Sequence, residues 1–83
     1  MVMRRRVQRV IDGDTFKVRT RVNGSQYVRI AGVNAPEKWQ FGYAAAKERL
    51  RKQVQSKVVT LQSVGRSYDR VVARVRCKRR LIR

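Results

Sequence analysis

Eighty-three residues carry 22 Lys and Arg against five Asp and Glu, a formal net charge of +17, with no histidine and one cysteine. That length makes one domain, close to the lower limit for burying a core without staples; the lone Cys77 excludes an intrachain disulfide and a cysteine zinc site. Without histidine, Ser-His-Asp and Cys-His triads and His-Glu-x-x-His zinc sites are excluded, so any chemistry must come from carboxylate, arginine, lysine, tyrosine or an oxygen-held metal.

The chain opens on a basic lead-in, residues 1–6, which runs into a first strand over Val7–Ile11. Asp12-Gly13-Asp14 then forms a turn. Phe16, Val18, Thr20 and Val22 alternate with Lys17, Arg19 and Arg21, the period-2 pattern of a second strand with one wet face. Asn23-Gly24 supplies the pair that a tight hairpin needs, and Gln26–Ala31 follows as a third strand. Residues 32–41 are irregular and hold the only proline, Pro36. Tyr43, Ala46, Leu50 and Val54 fall three or four apart and predict a helix over 43–55, with Glu48 placed to pair with Lys52. Lys57–Ser63 reads as a fourth strand, residues 65–69 as a turn, and Val71, Ala73, Val75 and Cys77 as one face of a fifth; residues 78–83 form a basic tail. Residues 1–83 thus make a single domain, mainly β with one helix in the order β-β-β-α-β-β, which matches the OB-fold, a five-stranded Greek-key barrel.

No apolar stretch approaches the ~20 residues of a membrane span, and the start lacks a signal-peptide core, which predicts a cytoplasmic protein with no membrane partner. The charge favours a polyanionic partner, nucleic acid ahead of lipid or acidic protein. Three of the five acids lie in two short clusters, Asp12 and Asp14 in Ile11-Asp-Gly-Asp-Thr15, and Glu37 in Gly32-Val-Asn-Ala-Pro-Glu37. Asp-Gly is a common turn pair, yet the same turn can present carboxylates to a hard cation, since calcium and magnesium take oxygen ligands.

Four segments stand in order: Val10-Ile-Asp-Gly-Asp-Thr-Phe-Lys-Val18, Val28-Arg-Ile-Ala-Gly-Val-Asn-Ala-Pro-Glu37, Gly42-Tyr-Ala-Ala-Ala-Lys-Glu-Arg-Leu50 and Tyr68-Asp-Arg-Val-Val-Ala-Arg-Val75. Together they resemble the staphylococcal nuclease family of thermonuclease-like domains over about Val7–Val75. The resemblance implies an OB-fold and a calcium-dependent nuclease that hydrolyses phosphodiester bonds of DNA and RNA; oxygen ligands alone leave magnesium as the other ion. It implies that Asp14 ligates the ion directly, that Asp12 acts in its outer sphere, and that Ala35 offers a backbone carbonyl. Glu37 would position or deprotonate the attacking water. Arg29 and Arg70 would grip the scissile phosphate, and Tyr68 would help hold a substrate phosphate.

Two positions depart from that pattern. Asn34 stands where the family has a calcium-bound aspartate, which gives a neutral ligand and a weaker ion site. Asp69 replaces a glycine before Arg70, where it would disturb the turn or offset the arginine's charge. The family's larger members carry further helices after the fifth strand, so a minimal barrel with a shallow cleft is expected, alone or paired with a second copy or a partner chain. The alternative function is a noncatalytic nucleic-acid-binding OB module, for which Tyr27, Trp39, Phe41, Tyr43 and Tyr68 are candidate stacking groups.

Overall fold

The structure, a computed structural model, describes residues 2–82. Its elements are β1 (Val2–Asp12), β2 (Thr15–Val22), β3 (Ser25–Ile30), α1 (Tyr43–Val54), β4 (Val58–Ser67), β5 (Arg70–Cys77) and β6 (Arg80–Leu81). Antiparallel pairings run β3-β2-β1-β4-β5-β6, and β3 also pairs in parallel with β5 through Val28↔Val71, Arg29↔Val72 and Ile30↔Ala73. That last pairing closes β1–β5 into a five-stranded barrel with the helix inserted between the third and fourth strands, an OB-like arrangement.

The interior is built mostly from valine. Val7, Val18, Val28, Val59, Val71 and Val75 are buried around Phe16, Ile30 and Leu61. The alternation in β5 holds as expected, with Val71, Ala73, Val75 and Cys77 all facing in. β2 breaks its alternation, because its register against β3 shifts between Lys17 and Val22; Thr20 is exposed while Val22 returns to the core. Asn23 and Gly24 take φ of 49° and 82°, the left-handed pair of a two-residue hairpin turn.

Three boundaries differ from the sequence reading. Residues 2–6 of the lead-in are not a separate arm but the first half of β1, paired from Val2↔Gln62 to Arg6↔Val58 with β4. Backbone pairing fixes them, while long arginine stems tolerate an outward-facing strand position. Gly65 does not end β4: it marks a register shift against β5, an irregularity that bends the strand, and the real turn is Tyr68-Asp69. The basic tail folds back as β6, a sixth strand, through Lys78 and Arg79 with φ of 52° and 69°, and delivers Ile82 into the core.

Helix α1 lays Leu50 and Val54 on the barrel and is tied to β1 at both ends. The Tyr43 hydroxyl donates to the Ile11 carbonyl at 3.3 Å. Beyond the other end, Gln55 accepts from the Val10 amide at 3.2 Å and donates to the Gln8 carbonyl at 3.1 Å, filling the register shift that β1 makes against β2 between Val7 and Arg9. Glu48 pairs with Arg51, one turn on, rather than with Lys52: two nitrogens of the guanidinium face both carboxylate oxygens, a fork that the lysine ammonium cannot match. Among the described residues no helix is long and apolar enough to cross a membrane.

Candidate active site

The acidic corner arises where β1 hands over to β2. Asp12 Oδ1 accepts the Asp14 amide at 3.2 Å, which closes the turn on itself. Gly13, at its apex, is buried with the loop and the helix pressed against it: a Cβ there would lie 2.6 Å from Ala35 Cβ and 2.9 Å from Ala46 Cβ. Close approach is therefore why the corner uses glycine. The Asp14 carbonyl accepts from the Ile30 amide at 2.8 Å, and its Oδ2 from the Ala35 amide at 3.4 Å, so one residue anchors both the end of β3 and the loop behind it.

Arg29 reaches the corner from β3, where it lies across from Thr15 on one side and Val72 on the other. Its Nη2 sits 3.7 Å from Asp14 Oδ2 and donates to Asn34 Oδ1 at 3.0 Å. Arg70 arrives from the start of β5, and its Nη1 donates to Thr15 Oγ1 at 3.4 Å. Thr15 in turn donates to Asp14 Oδ1 at 3.0 Å. Both arginines thus converge on Asp14, one directly and one through a fully buried hydroxyl.

A cleft of about 160 Å³ is bounded by Asp12, Asp14 and Glu37, by Arg29 and Arg70, and by Asn34, Ala35 and Pro36. Seven of the eight residues expected at the site therefore line one concavity. Tyr68 does not: it occupies the β4–β5 turn at φ 55° and is 97 % exposed. Asp69 neither strains the turn nor pairs with Arg70 among the described residues. The positive φ falls on Tyr68, and the Asp69 carbonyl accepts from the Ser25 hydroxyl at 2.5 Å, which pins the turn to β3. Thr15 is the member of the site that residue-by-residue reading missed. Its signal is a threonine directly after the second aspartate, at the first inward position of a strand.

Electrostatics separate the two aspartates. Burial pushes the Asp12 carboxyl above its ordinary value, and side-chain hydrogen bonding with Asp14 pushes the same way. Burial would also raise Asp14, but hydrogen bonds from Asp12, Thr15 and the Ala35 amide, with the Arg29 guanidinium, together hold it lower. Asp14 is thus the standing anion and Asp12 the group that holds its proton longer, a division that burial and a shared hydrogen bond produce between adjacent carboxyls.

Every donor at the cleft that could face a cation is oxygen: two carboxylates at the corner, the Asn34 amide, the Ala35 carbonyl and Glu37 at the rim. In kind that set fits a hard divalent ion. In number of charges it is lean, because among the described residues no three acids, histidines or cysteines cluster as metal ligands and the Asn34 oxygen is engaged by Arg29. The aromatic candidates divide. Tyr43 is tied to β1, and Tyr27 lies under Lys17 with the ammonium 6.0 Å from the ring centre. Trp39 and Phe41, just after Glu37, are 81 % and 102 % exposed. Compared with family models and with curated proteins, the chain matches none.

Proposed function

We propose that the protein is a divalent-metal-dependent phosphodiesterase acting on DNA or RNA, a nuclease of the staphylococcal type. One observation carries this reading: two guanidiniums from different strands and three acids line the same small cleft on a molecule of net charge +17. Asp14, the Ala35 carbonyl and Asn34 are the groups that would hold calcium, or magnesium, with Asp12 behind them. Such an ion, when bound, supplies charge neutralisation at a phosphoryl oxygen.

The chain's own groups do the rest. Arg29 and Arg70 offer planar forks to the two unesterified oxygens of a phosphodiester, whose negative charge otherwise repels a nucleophile. Asn34 holds Arg29 and Thr15 holds Arg70, so the forks are oriented before substrate arrives. Glu37 makes no side-chain hydrogen bond among the described residues and is free at the rim to accept a proton from water, the task histidine performs elsewhere. Removing either guanidinium costs about 2.7–4 kcal/mol of transition-state stabilisation, or about 10²–10³ in rate.

Plasmid and single-stranded DNA incubated with calcium, with magnesium and with EDTA test the proposal. EDTA-sensitive cleavage that Glu37→Ala abolishes is expected; no cleavage by folded protein at any ion concentration overturns it. A second reading, a nucleic-acid-binding module without catalysis, is favoured by the neutral Asn34 and by the bare rings of Trp39 and Phe41. Asn34→Asp discriminates: cleavage gained where the parent shows none establishes the module.

A further inference from the structure

A second concavity lies away from the cleft, lined by Arg4, Arg5, Arg6, Arg19 and Thr20, with a volume of about 560 Å³. Four arginines and no acid line it. All five carboxylates of the chain lie at positions 12, 14, 37, 48 and 69, and none of the four arginines makes an ion pair among the described residues. Arg5 is fixed in place by its own strand and the next, donating to the Arg4 carbonyl at 2.8 Å and to the Arg21 carbonyl at 3.5 Å, while its Nε is buried without an acceptor. Arg6 is held by the Ser56 carbonyl at 2.8 Å. Like charges gathered and partly immobilised in this way repel one another unless an anion sits among them.

The position of this pocket gives it meaning. Arg5 precedes Asp12 by seven residues of one strand, roughly 20 Å at the usual rise, so the pocket and the acidic corner mark opposite ends of the β1–β2 hairpin. Between them Arg9 lies directly across from Lys17, a like-charge cross-strand pair of the kind that weakens a sheet in isolation. Lys17 and Arg19 alternate with the buried Phe16 and Val18, so they share the outer face of β2. A basic track therefore leads from the cleft along the outside of the hairpin to the arginine pocket.

We infer that the arginine pocket is a second phosphate-binding site, which holds the backbone of the nucleic acid strand whose other phosphates occupy the cleft. The inference rests on nucleic acid being the ligand of the cleft, and not on cleavage there. It makes the substrate a chain of several nucleotides: a dinucleotide fills the cleft alone, whereas a long strand reaches both sites.

The test is fluorescence anisotropy over a range of KCl in EDTA, with a labelled dinucleotide and a labelled long single strand. Among the described residues the Arg4 and Arg19 side chains donate no hydrogen bond, so Arg4→Gln/Arg19→Gln leaves the fold intact, as far-ultraviolet circular dichroism verifies. This variant is expected to reduce the slope of log K against log salt for the long strand by roughly 1.4, about 0.7 for each phosphate that is no longer neutralised. Dinucleotide affinity is unchanged, and Arg4→Gln alone gives half the shift. An unaltered slope overturns the inference, as does equal weakening for both ligands. Tighter binding to phosphatidylserine vesicles than to the strand at matched salt, abolished in the same variant, also overturns it by assigning the pocket to a membrane surface. A reduced slope without cleavage by any protein removes only the nuclease reading; cleavage with an unaltered slope removes only this one.

Discussion

Gly13→Ala places a single methyl group at the tightest point of the molecule. The new carbon would stand 2.6 Å from Ala35 Cβ and 2.9 Å from Ala46 Cβ, and both neighbours are alanines whose Cβ atoms cannot swing aside. Carbon atoms rest at about 3.5–4.0 Å. The loop at Ala35, and to a lesser degree the helix at Ala46, must therefore recede by roughly 1 Å. Overpacking of this kind costs ~1–3 kcal/mol, partly offset by ~0.4–1 kcal/mol because alanine restricts the unfolded chain. The net is a loss of about 1–2 kcal/mol, which at about 4–8 °C per kcal/mol in a domain of this size lowers the melting temperature by roughly 10 °C. Function should suffer more than stability. The displaced residue carries the amide that Asp14 accepts and the carbonyl that faces the cleft, and a misplacement of ~1 Å at a site can cost about 10² in rate. Urea unfolding reports the first effect and oligonucleotide cleavage the second. A variant with unchanged midpoint and unchanged cleavage would show that the loop does not press on the corner as described.

Thr15→Val removes the hydroxyl between Arg70 and Asp14; cleavage is expected to fall about tenfold or more with the melting temperature little changed, and equal activity would show that Arg70 needs no such brace. Asp12→Asn addresses the raised carboxyl. A folded-state value above 3.8 means that stability declines as pH rises through the window between the two values, so the variant's melting temperature should gain on the parent's from acid toward neutral pH and then level off. Asp14, held below 3.8, works the other way, and its contribution, present above that value, is lost as pH falls through the folded-state value; a difference that does not vary with pH refutes the assignment. Gln55→Ala strips the part-buried Val10 amide of its acceptor, while the exposed Gln8 carbonyl turns to water, and should cost about 1 kcal/mol in urea unfolding. Arg79→Gly relieves a left-handed arginine at φ 69° and should stabilise the protein by ~1 kcal/mol; no gain would mean that the β5–β6 turn is strain-free.

The parts of this fold that could be read from residues were those with period-2 or helical spacing. Phe16 and Val18, the face from Val71 to Cys77 and the stripe ending in Leu50 and Val54 are buried as the pattern requires. What escaped was structure whose cause lies elsewhere in the chain. An arginine-rich run such as residues 2–6 has no apolar alternation, and only its partner strand makes it a strand. Gly65 resembles a turn residue until the register against β5 is known. Lys78 and Arg79 carry no turn signature, and it is the burial of Ile82 that rewards the hairpin. At the site, Asp12, Asp14, Arg29, Asn34, Ala35, Glu37 and Arg70 were legible because two short segments and two arginines come together as expected. Thr15 was not, since a bridging hydroxyl is defined by the groups on either side of it. Tyr68 lies outside the cleft lining, since its position in the sequence does not reveal that its backbone turns left-handed and leaves the ring exposed.

The parallel pairing of β3 with β5 has a consequence for how the molecule comes into being. Arg29 and Arg70 belong to strands separated by the entire helix, and only the Val28↔Val71 register brings them to a common mouth. Pairings that close a long stretch of chain form late and slowly. The first hairpins can assemble the acidic corner alone, carrying Arg29 with it, long before the second guanidinium docks. The pairing of both guanidiniums beside the acidic corner is thereby withheld from partly folded chains, and appears only when the ring of strands shuts.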